Sequence, residues 1–328
     1  MTVDRMPTLV SIVIAAYNNW PDLELAIQSA LCQSYRPVEV IVVDNSSTDE
    51  TSIEVPRRFG DRITYIRQPN TGDAGAYNTG MKVAKGQFVQ FMDGDDFLAP
   101  MKIEEQAKVL ESEPDVDVLS NNVRCFQTLP GVPSWVDSDI VEDELTFEGF
   151  LNGSEVGTGV GGIFRATALE RIGAFDESLY IADADYILRA HLAKCRLAHF
   201  PGPSLAFKRV RPGQMSASVP LMLAGSEALW TKALGLVTCE PHRSIVRFNL
   251  GRHQFWRAVR VEGMTVRDAL AKAKEARKTS PEAVPLLAFL AGIVLIVVPG
   301  APFLARSPKV RKIRRMIARS LGFKCDAP

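Results

Sequence analysis

Phe88-Val-Gln-Phe-Met92 runs without a break into Asp93-Gly94-Asp95-Asp96, and the rest of the chain is read outward from this stretch. An apolar run this short is expected to form a strand, and one covered on both faces needs no strict polar alternation. The acidic residues that follow are ordinary turn formers. Three carboxylates so close together also repel one another, and a divalent cation would relieve that repulsion. Hard oxygen ligands suit Mg²⁺ or Mn²⁺, which can bridge diphosphate oxygens as well. A cation site and a solvated acidic turn both stand at this point, with the cation site the better fit.

Upstream the same arrangement recurs. Leu9 to Ala16 and Val38 to Val43 are apolar runs of strand character, and Ile63 to Arg67 is a third strand. Between them, Asp22 to Cys32 places Leu23, Ala26, Ile27, Ala30 and Leu31 at helical spacing. Ser47 to about Arg58 reads as a helix opened by Ser47 or Thr48, and Gly75 to Lys85 as another. Strands and helices alternating in short units predict an α/β fold with a mostly parallel sheet. Ligands of such sheets bind beyond the carboxyl ends of the strands. Here those ends are Tyr17-Asn18, Asp44-Asn45-Ser46-Ser47-Thr48-Asp49 and Asp93 to Asp96. No GxGxxG follows the first strand and no GxxxxGK[ST] occurs, so dinucleotide and P-loop readings lose their usual support.

Downstream, Pro100 to Glu111 forms a helix with Ile103, Ala107 and Leu110 along one face, and Val116 to Val123 a strand. Residues 127–143 read as a long loop carrying Trp135, which either flanks a sugar pocket or anchors the loop. Gly157 to Phe164 leads into a helix over Ala166 to Ile172, Tyr186 to Lys194 is helical, and Phe207 to Arg211 is a late strand. After about Glu240 the character changes. Arg243 to Lys278 is basic and helical, Val284 to Val298 is almost wholly apolar, and Lys309 to Arg319 is a basic amphipathic helix. This divides the chain into a domain over residues 1–240 and a helical, basic and apolar region over 241–328. The apolar run is near the lower limit for a bilayer of roughly 30 Å. With a basic helix behind it, association with a membrane surface is favoured over a buried core helix.

The chain has 328 residues, and Lys+Arg and Asp+Glu are both 38, so its formal net charge is zero and gives no support to a nucleic-acid partner. The five cysteines are scattered, which argues against a zinc site or a disulfide framework and for a reducing, cytoplasmic setting. The four histidines stand at no metal-ligand spacing. The N-terminal apolar run is read as a strand, not a signal peptide.

Several stretches recur in a telling order: Ser11-Ile-Val-Ile-Ala-Ala-Tyr-Asn18, Val42-Val-Asp-Asn-Ser-Ser-Thr-Asp49, Asn70-Thr-Gly-Asp-Ala-Gly-Ala-Tyr-Asn-Thr-Gly80 and Phe91-Met-Asp-Gly-Asp-Asp-Phe-Leu-Ala-Pro100. Gly173-Ala-Phe-Asp-Glu177 and Ala182-Asp-Ala-Asp-Tyr-Ile-Leu-Arg189 follow them. Together, over roughly residues 8–220, they resemble the successive motifs of family 2 glycosyltransferases. The resemblance implies a GT-A fold, a nucleotide-sugar donor (a UDP- or dTDP-sugar), Mn²⁺ or Mg²⁺, and inversion at the anomeric carbon. It implies that Asp44 and Asn45 contact the base or ribose with Ala16 and Tyr17 nearby, and it sets Asn78 among the donor-binding residues. Asp93 and Asp95 would be the Asp-x-Asp pair, touching ribose and metal. Asp183 would be the general base that takes the proton of the acceptor hydroxyl. The metal would stabilise charge on the departing nucleoside diphosphate. With the membrane-seeking tail, the resemblance points to a glycan or lipid-linked acceptor in bacterial envelope synthesis.

The chain departs from the family pattern in places. Ala182 stands where relatives carry Glu, which leaves Asp185 as a second candidate base. Tyr77 stands where many carry Arg. Arg211 stands where many carry His; it cannot ligate a metal but can pair with phosphate. The alternative for Arg211, with Lys208 and Arg209 beside it, is a solvated strand edge. Two other functions remain open: a nucleotidyltransferase, for which a basic phosphate loop is missing near Ala15-Ala-Tyr-Asn-Asn19, and a non-catalytic sugar-nucleotide-binding protein.

Overall fold

The computed structural model describes residues 8–127, 136–137, 145–153, 161–211, 214–265 and 267–268. Trp135, the apolar run from 284 and the basic helix from 309 lie outside the described residues. The chain divides into two compact units, Met1–Ala217 and Ser218–Pro328.

The first unit is built on strands β1 (Val10–Ala16), β2 (Val38–Asp44), β3 (Thr64–Arg67), β4 (Phe88–Asp93), β5 (Phe97–Leu98), β6 (Val118–Asn121), β7 (Val123–Gln127), β8 (Val136–Asp137), β9 (Ile163–Arg165), β10 (Leu197–Phe200) and β11 (Ala206–Val210). Its helices are α1 (Asp22–Leu31), α2 (Thr51–Phe59), α3 (Gly72–Val83), α4 (Lys102–Ser112), α5 (Phe147–Leu151), α6 (Ala166–Ile172) and α7 (Ala182–Leu192). Seven strands form one sheet in the order β10-β6-β9-β4-β1-β2-β3. All its neighbours run parallel except β9, which lies antiparallel between β4 and β6. The mixed α/β fold with a mostly parallel sheet is thus the architecture expected of a GT-A transferase.

The alternation of β1 explains its unbroken apolar run. Val10, Ile12, Ile14 and Ala16 face a core formed with Leu23, Ala26 and Ile27 of α1 and Ile103, Ala107 and Leu110 of α4. Val13 and Ala15 face the other way, toward Ala74 and Tyr77 of α3, Leu169 of α6 and Tyr186 of α7. Successive side chains point to opposite faces, so a strand covered by helices on both sides must be apolar at nearly every position.

Two expectations need correction. The helix expected to open at Ser47 or Thr48 begins at Thr51, with no side-chain cap. Ser47 and Thr48 bind across to the end of β1 instead. Val116 to Val123 is not one strand: the chain leaves the seven-stranded sheet after Asn121 and enters a second sheet at Val123. That second sheet has the order β5-β11-β7-β8. Lys208 and Arg209 lie opposite Cys125 and Phe126 of β7; on the other side the pairing of β11 with β5 ends at Phe207, and there the Arg209 N–H is taken by the Asp96 carboxylate, while Arg211 follows the strand.

One polar cluster sits inside the core. Lys102 of α4 is fully buried, and its Nζ donates 2.5 Å to Gln90 Oε1 of β4 and also to Gln106 Oε1. Burial holds its pKa well below that of an ordinary lysine.

The second unit pairs helix α8 (Val219–Leu236) with α9 (His242–Arg260). Leu229, Trp230, Ala233, Val237, Val246, Asn249, Phe255 and Ala258 are among its buried side chains. Arg257 Nε lies 3.0 Å from Glu227 Oε2, joining the two helices. Position 240 falls in the turn between them. Among the described residues no helix is long and apolar enough to cross a membrane.

Candidate active site

The carboxyl ends of β1, β2 and β4 lie side by side, in the register Ala16 with Asp44 and Ala15 with Asp93. The loops after β1 and β2 are tied together before any ligand arrives. Asn45 N–H donates to Ala16 C=O at 2.9 Å, and Asn18 N–H to Ser47 Oγ at 3.0 Å. Asn18 Oδ1 accepts the Thr48 N–H at 2.7 Å, and Asp49 Oδ2 accepts the Trp20 N–H at 2.9 Å. Asn18 and Ser46 hold φ of 49° and 58°, a left-handed backbone that is costly outside glycine. The cross-loop bonds hold Asn18 there, and Ser46 is held by its own hydroxyl, which donates to Gln68 C=O at 2.7 Å, so the rim is fixed at the cost of local strain.

Each expected donor residue has a definite place on this rim. Asp44 is wholly buried, and its carboxylate accepts from Ser47 N–H at 2.8 Å and Tyr65 OH at 2.6 Å. Asn45 donates to Gly72 C=O at 3.0 Å and accepts from Gln68 at 2.9 Å. Ala16 is buried at the end of β1, while the next residue, Tyr17, is 48% exposed. Asn78 is buried in α3, with its amide engaged by residues 175–177.

The acidic stretch is held from several sides. Asp93 accepts the Tyr77 hydroxyl at 2.5 Å. Asp95 pairs with Arg211 Nη2 at 3.0 Å. Asp96 is buried and accepts the Arg209 N–H at 2.9 Å. Gly94 has to be small, because a Cβ there would run into the Asn19 side chain and come within 3.0 Å of the Ala15 carbonyl oxygen. Arg209 is buried, reaches the Asp95 carbonyl and Asp22, and lies over the Phe126 ring. Arg211 spans Asp22, at 3.6 Å, and Asp95.

Electrostatics bring in Asp73, which the sequence reading did not single out, and Lys208, which it read only beside Arg211. Asp73, in the first turn of α3, has its carboxyl pushed up to about 7 by desolvation and then by Asp93 and Asp95, with Asp183 adding to the effect. Lys208 is held above its ordinary value: burial alone would lower it, but Asp93, Asp96 and Asp183 favour its charged form. Burial and Asp93 likewise raise the carboxyls of Asp95 and Asp96. Asp183 therefore shares one charged neighbourhood with the acidic stretch, although about ninety positions separate them. The signal for Asp73 was present in the motif from Asn70 to Gly80. For Lys208 there was none, because strand alternation alone does not say what a side chain faces.

The two candidate bases differ plainly. Asp183 is exposed in the first turn of α7, with Oδ1 accepting the Ala184 N–H at 2.8 Å. Asp185 is fully buried and paired with Arg189 at 2.7 Å. Among the described residues no group of three or more His, Cys, Asp or Glu side chains is arranged as a ready-made metal cage.

A fold of this kind, with acidic strand ends gathered at one rim, is the architecture of the GT-A class. The glycosyl transferase family 2 model matches residues 11–187. An uncharacterized glycosyltransferase of Rickettsia typhi is 30% identical over 253 residues, covering 75% of this chain and 77% of its own. A UDP-Glc:alpha-D-GlcNAc-diphosphoundecaprenol beta-1,3-glucosyltransferase of Escherichia coli is 41% identical over 106 residues, 32% of this chain and 42% of its own. Among solved structures, Staphylococcus aureus TarS 1–349 in complex with UDP-GlcNAc aligns with a TM-score of 0.62 at 20% identity, covering 81% of this chain and 80% of its own. A Pyrobaculum calidifontis mannosyltransferase in complex with GDP-Man and Mn²⁺ aligns with a TM-score of 0.59 at 21% identity, covering 98% of this chain and 89% of its own. The chain belongs to glycosyl transferase family 2, and it is a glycosyltransferase. The nucleotidyltransferase and non-catalytic alternatives give way to that membership.

Proposed function

We propose that this enzyme is a metal-dependent, inverting transferase that moves a sugar from a UDP- or dTDP-sugar to a hydroxyl of a glycan or lipid-linked acceptor. The observation that carries the reading is the gathering of Asp73, Asp93, Asp95, Asp96 and Asp183 around Lys208, Arg209 and Arg211. The carboxylates there outnumber the basic side chains, a balance that a divalent ion would stabilise. A Mg²⁺- or Mn²⁺-type ion is commonly held by one or two carboxylates plus substrate phosphates, and Asp93 and Asp95 supply such a pair. When bound, the ion would neutralise charge gathering on the departing diphosphate.

The remaining roles fall to the chain itself. Asp44 and Asn45, locked by their own hydrogen bonds, present the rim of β2 to the base and ribose, with Ala16 and the exposed Tyr17 beside them. Arg211 can turn from its carboxylates toward phosphate oxygens. Asp183, exposed where Asp185 is buried and paired, takes the acceptor proton as that oxygen attacks the anomeric carbon. The Escherichia coli relative's name, with a UDP-sugar donor and a lipid-diphosphate acceptor, supports an acceptor of similar kind in bacterial envelope synthesis. The basic and apolar C-terminal region would hold the enzyme at the inner face of the membrane.

The test is UDP release from UDP-sugars with Mn²⁺ and a lipid extract, beside a thermal-shift screen of nucleoside diphosphates. Asp183→Asn should abolish transfer while UDP with Mn²⁺ still raises the melting temperature, as any ligand of the folded state does. Full activity in the variant would remove Asp183 from the mechanism.

A further inference from the structure

The resemblance sets Asn78 among the donor-binding residues, yet its amide is spent elsewhere. Nδ2 donates to Phe175 C=O at 3.0 Å and to Glu177 Oε1 at 2.8 Å, and Oδ1 accepts the Phe175 N–H at 2.7 Å. The side chain thus grips both main-chain groups of one residue, in the segment that leads into α7. Asn78 and Phe175 are both buried, so neither main-chain group of Phe175 has water in reach as a substitute partner. A Cβ at Gly75, one turn earlier on α3, would run first into the Thr71 side chain and would also come within 3.3 Å of Glu177 Oε2.

A second contact runs parallel to this clamp. Tyr77, whose hydroxyl binds Asp93, has its ring 5.4 Å from that of Phe175. Phe175 in turn stacks on Tyr186 of α7, with centroids 3.8 Å apart and planes 12° from parallel. Neighbouring residues of α3 thus touch the acidic strand end through one side chain and the approach to α7 through two.

We propose that Asn78 is a positioning residue, which fixes the helix bearing Asp183 against α3 and so sets the distance between the acceptor base and the donor carboxylates. The proposal rests on Asp183 acting as the base, but the clamp itself can be tested without that reading. The Asn78 amide is engaged by Phe175 and Glu177 within the fold. Without the clamp the rim of β1, β2 and β4 keeps its own cross-loop bonds, and only the acceptor half of the site loses its register.

The experiment compares wild type with Asn78→Asp, which keeps Oδ1 but places a carboxylate against the Phe175 carbonyl and Glu177. Glu177→Ala is run beside it, removing only the exposed outer arm. Amide exchange, UDP affinity with Mn²⁺ by calorimetry, and turnover of UDP-sugar are read on each. In Asn78→Asp, exchange over residues 175–192 should quicken about tenfold or more while that of 10–44 holds. Turnover should fall about tenfold, because small displacements of a catalytic group are costly, while UDP affinity stays within about twofold. Glu177→Ala should show the same pattern at lower amplitude, and it carries the test if Asn78→Asp does not fold. A loss of UDP affinity matching the loss of turnover would make Asn78 a donor ligand and overturn the proposal. Unchanged exchange over 175–192 would overturn it equally. Should wild type fail to bind UDP, the reading of the donor site falls, while the exchange data still decide on the clamp.

Discussion

Arg211 shows how one side chain can hold a site together before its ligand arrives. It spans Asp22 on α1 and Asp95 after β4, and it is 38% exposed. Pairs so open to solvent contribute little to stability, so the arginine's value lies in what it can do with a diphosphate. Arg211→Ala should leave the melting temperature nearly unchanged and weaken UDP binding with Mn²⁺ by about tenfold, as loss of a charge-assisted contact to phosphate would. Arg211→Lys should recover only part, because an ammonium is a single point of charge where guanidinium offers a fork. Calorimetric titration of the three proteins decides it, and equal affinities would leave Arg211 as a tie between carboxylates alone. At this scale much of the site could be read from residue types: carboxylates after apolar strands are conspicuous. What could not be read was occupancy. Nothing in the letters says that both oxygens of Asp44 are taken by Ser47 and Tyr65, or that Lys208 faces three carboxylates.

Among the elements, apolar periodicity identified the strands that carry the rim, and it failed where two structures share one pattern. Val116 to Val123 is apolar enough for one strand, but the chain changes sheets at Asn122, which hydrophobicity does not register. Helix α8 was not read at all, since its apolar residues lie all round and leave no stripe. On β4 and α4 the opposite happened: Gln90 and Lys102 sit inside the core although their type argues for the surface. Lys102 yields a prediction with a definite sign. Its folded pKa is well below the value of about 10.4 expected in an unfolded chain. Between those two values the unfolded state binds the extra proton, so stability rises with pH across that window and is level below it. One proton sets a ceiling of about 1.4 kcal/mol per pH unit. Lys102→Met leaves Gln90 and Gln106 without their donor and lowers stability at neutral pH, but it should also flatten this slope. Urea unfolding of both proteins from about pH 7 to pH 10 reads the difference directly; parallel curves would mean that Lys102 is charged in the fold.

For the whole molecule, the residues proposed for transfer and the stretch proposed to meet a membrane lie in different parts of the chain. The chain's net charge is zero, so no long-range attraction of the entire protein to an anionic surface is expected. The charge is unevenly placed, however: Lys309, Arg311, Lys312, Arg314, Arg315 and Arg319 follow the apolar run that begins at Val284. Each basic residue near an anionic surface contributes about 1 kcal/mol, and buried apolar side chains add to that. A segment combining both should bind vesicles containing phosphatidylglycerol, and bind more weakly as salt screens the basic part. The full chain should therefore sediment with such vesicles, whereas a chain lacking residues 284–328 should stay in the supernatant. That truncated chain should still release UDP from a UDP-sugar when given a water-soluble acceptor, because every residue assigned to the transfer lies before Pro212. If it still sediments, the anchor lies earlier, and the exposed Val219 and Leu221 of α8 with the arginines of α9 become the surface to test. If the full chain itself stays soluble beside the vesicles, the tail has another partner and the acceptor must come to the enzyme.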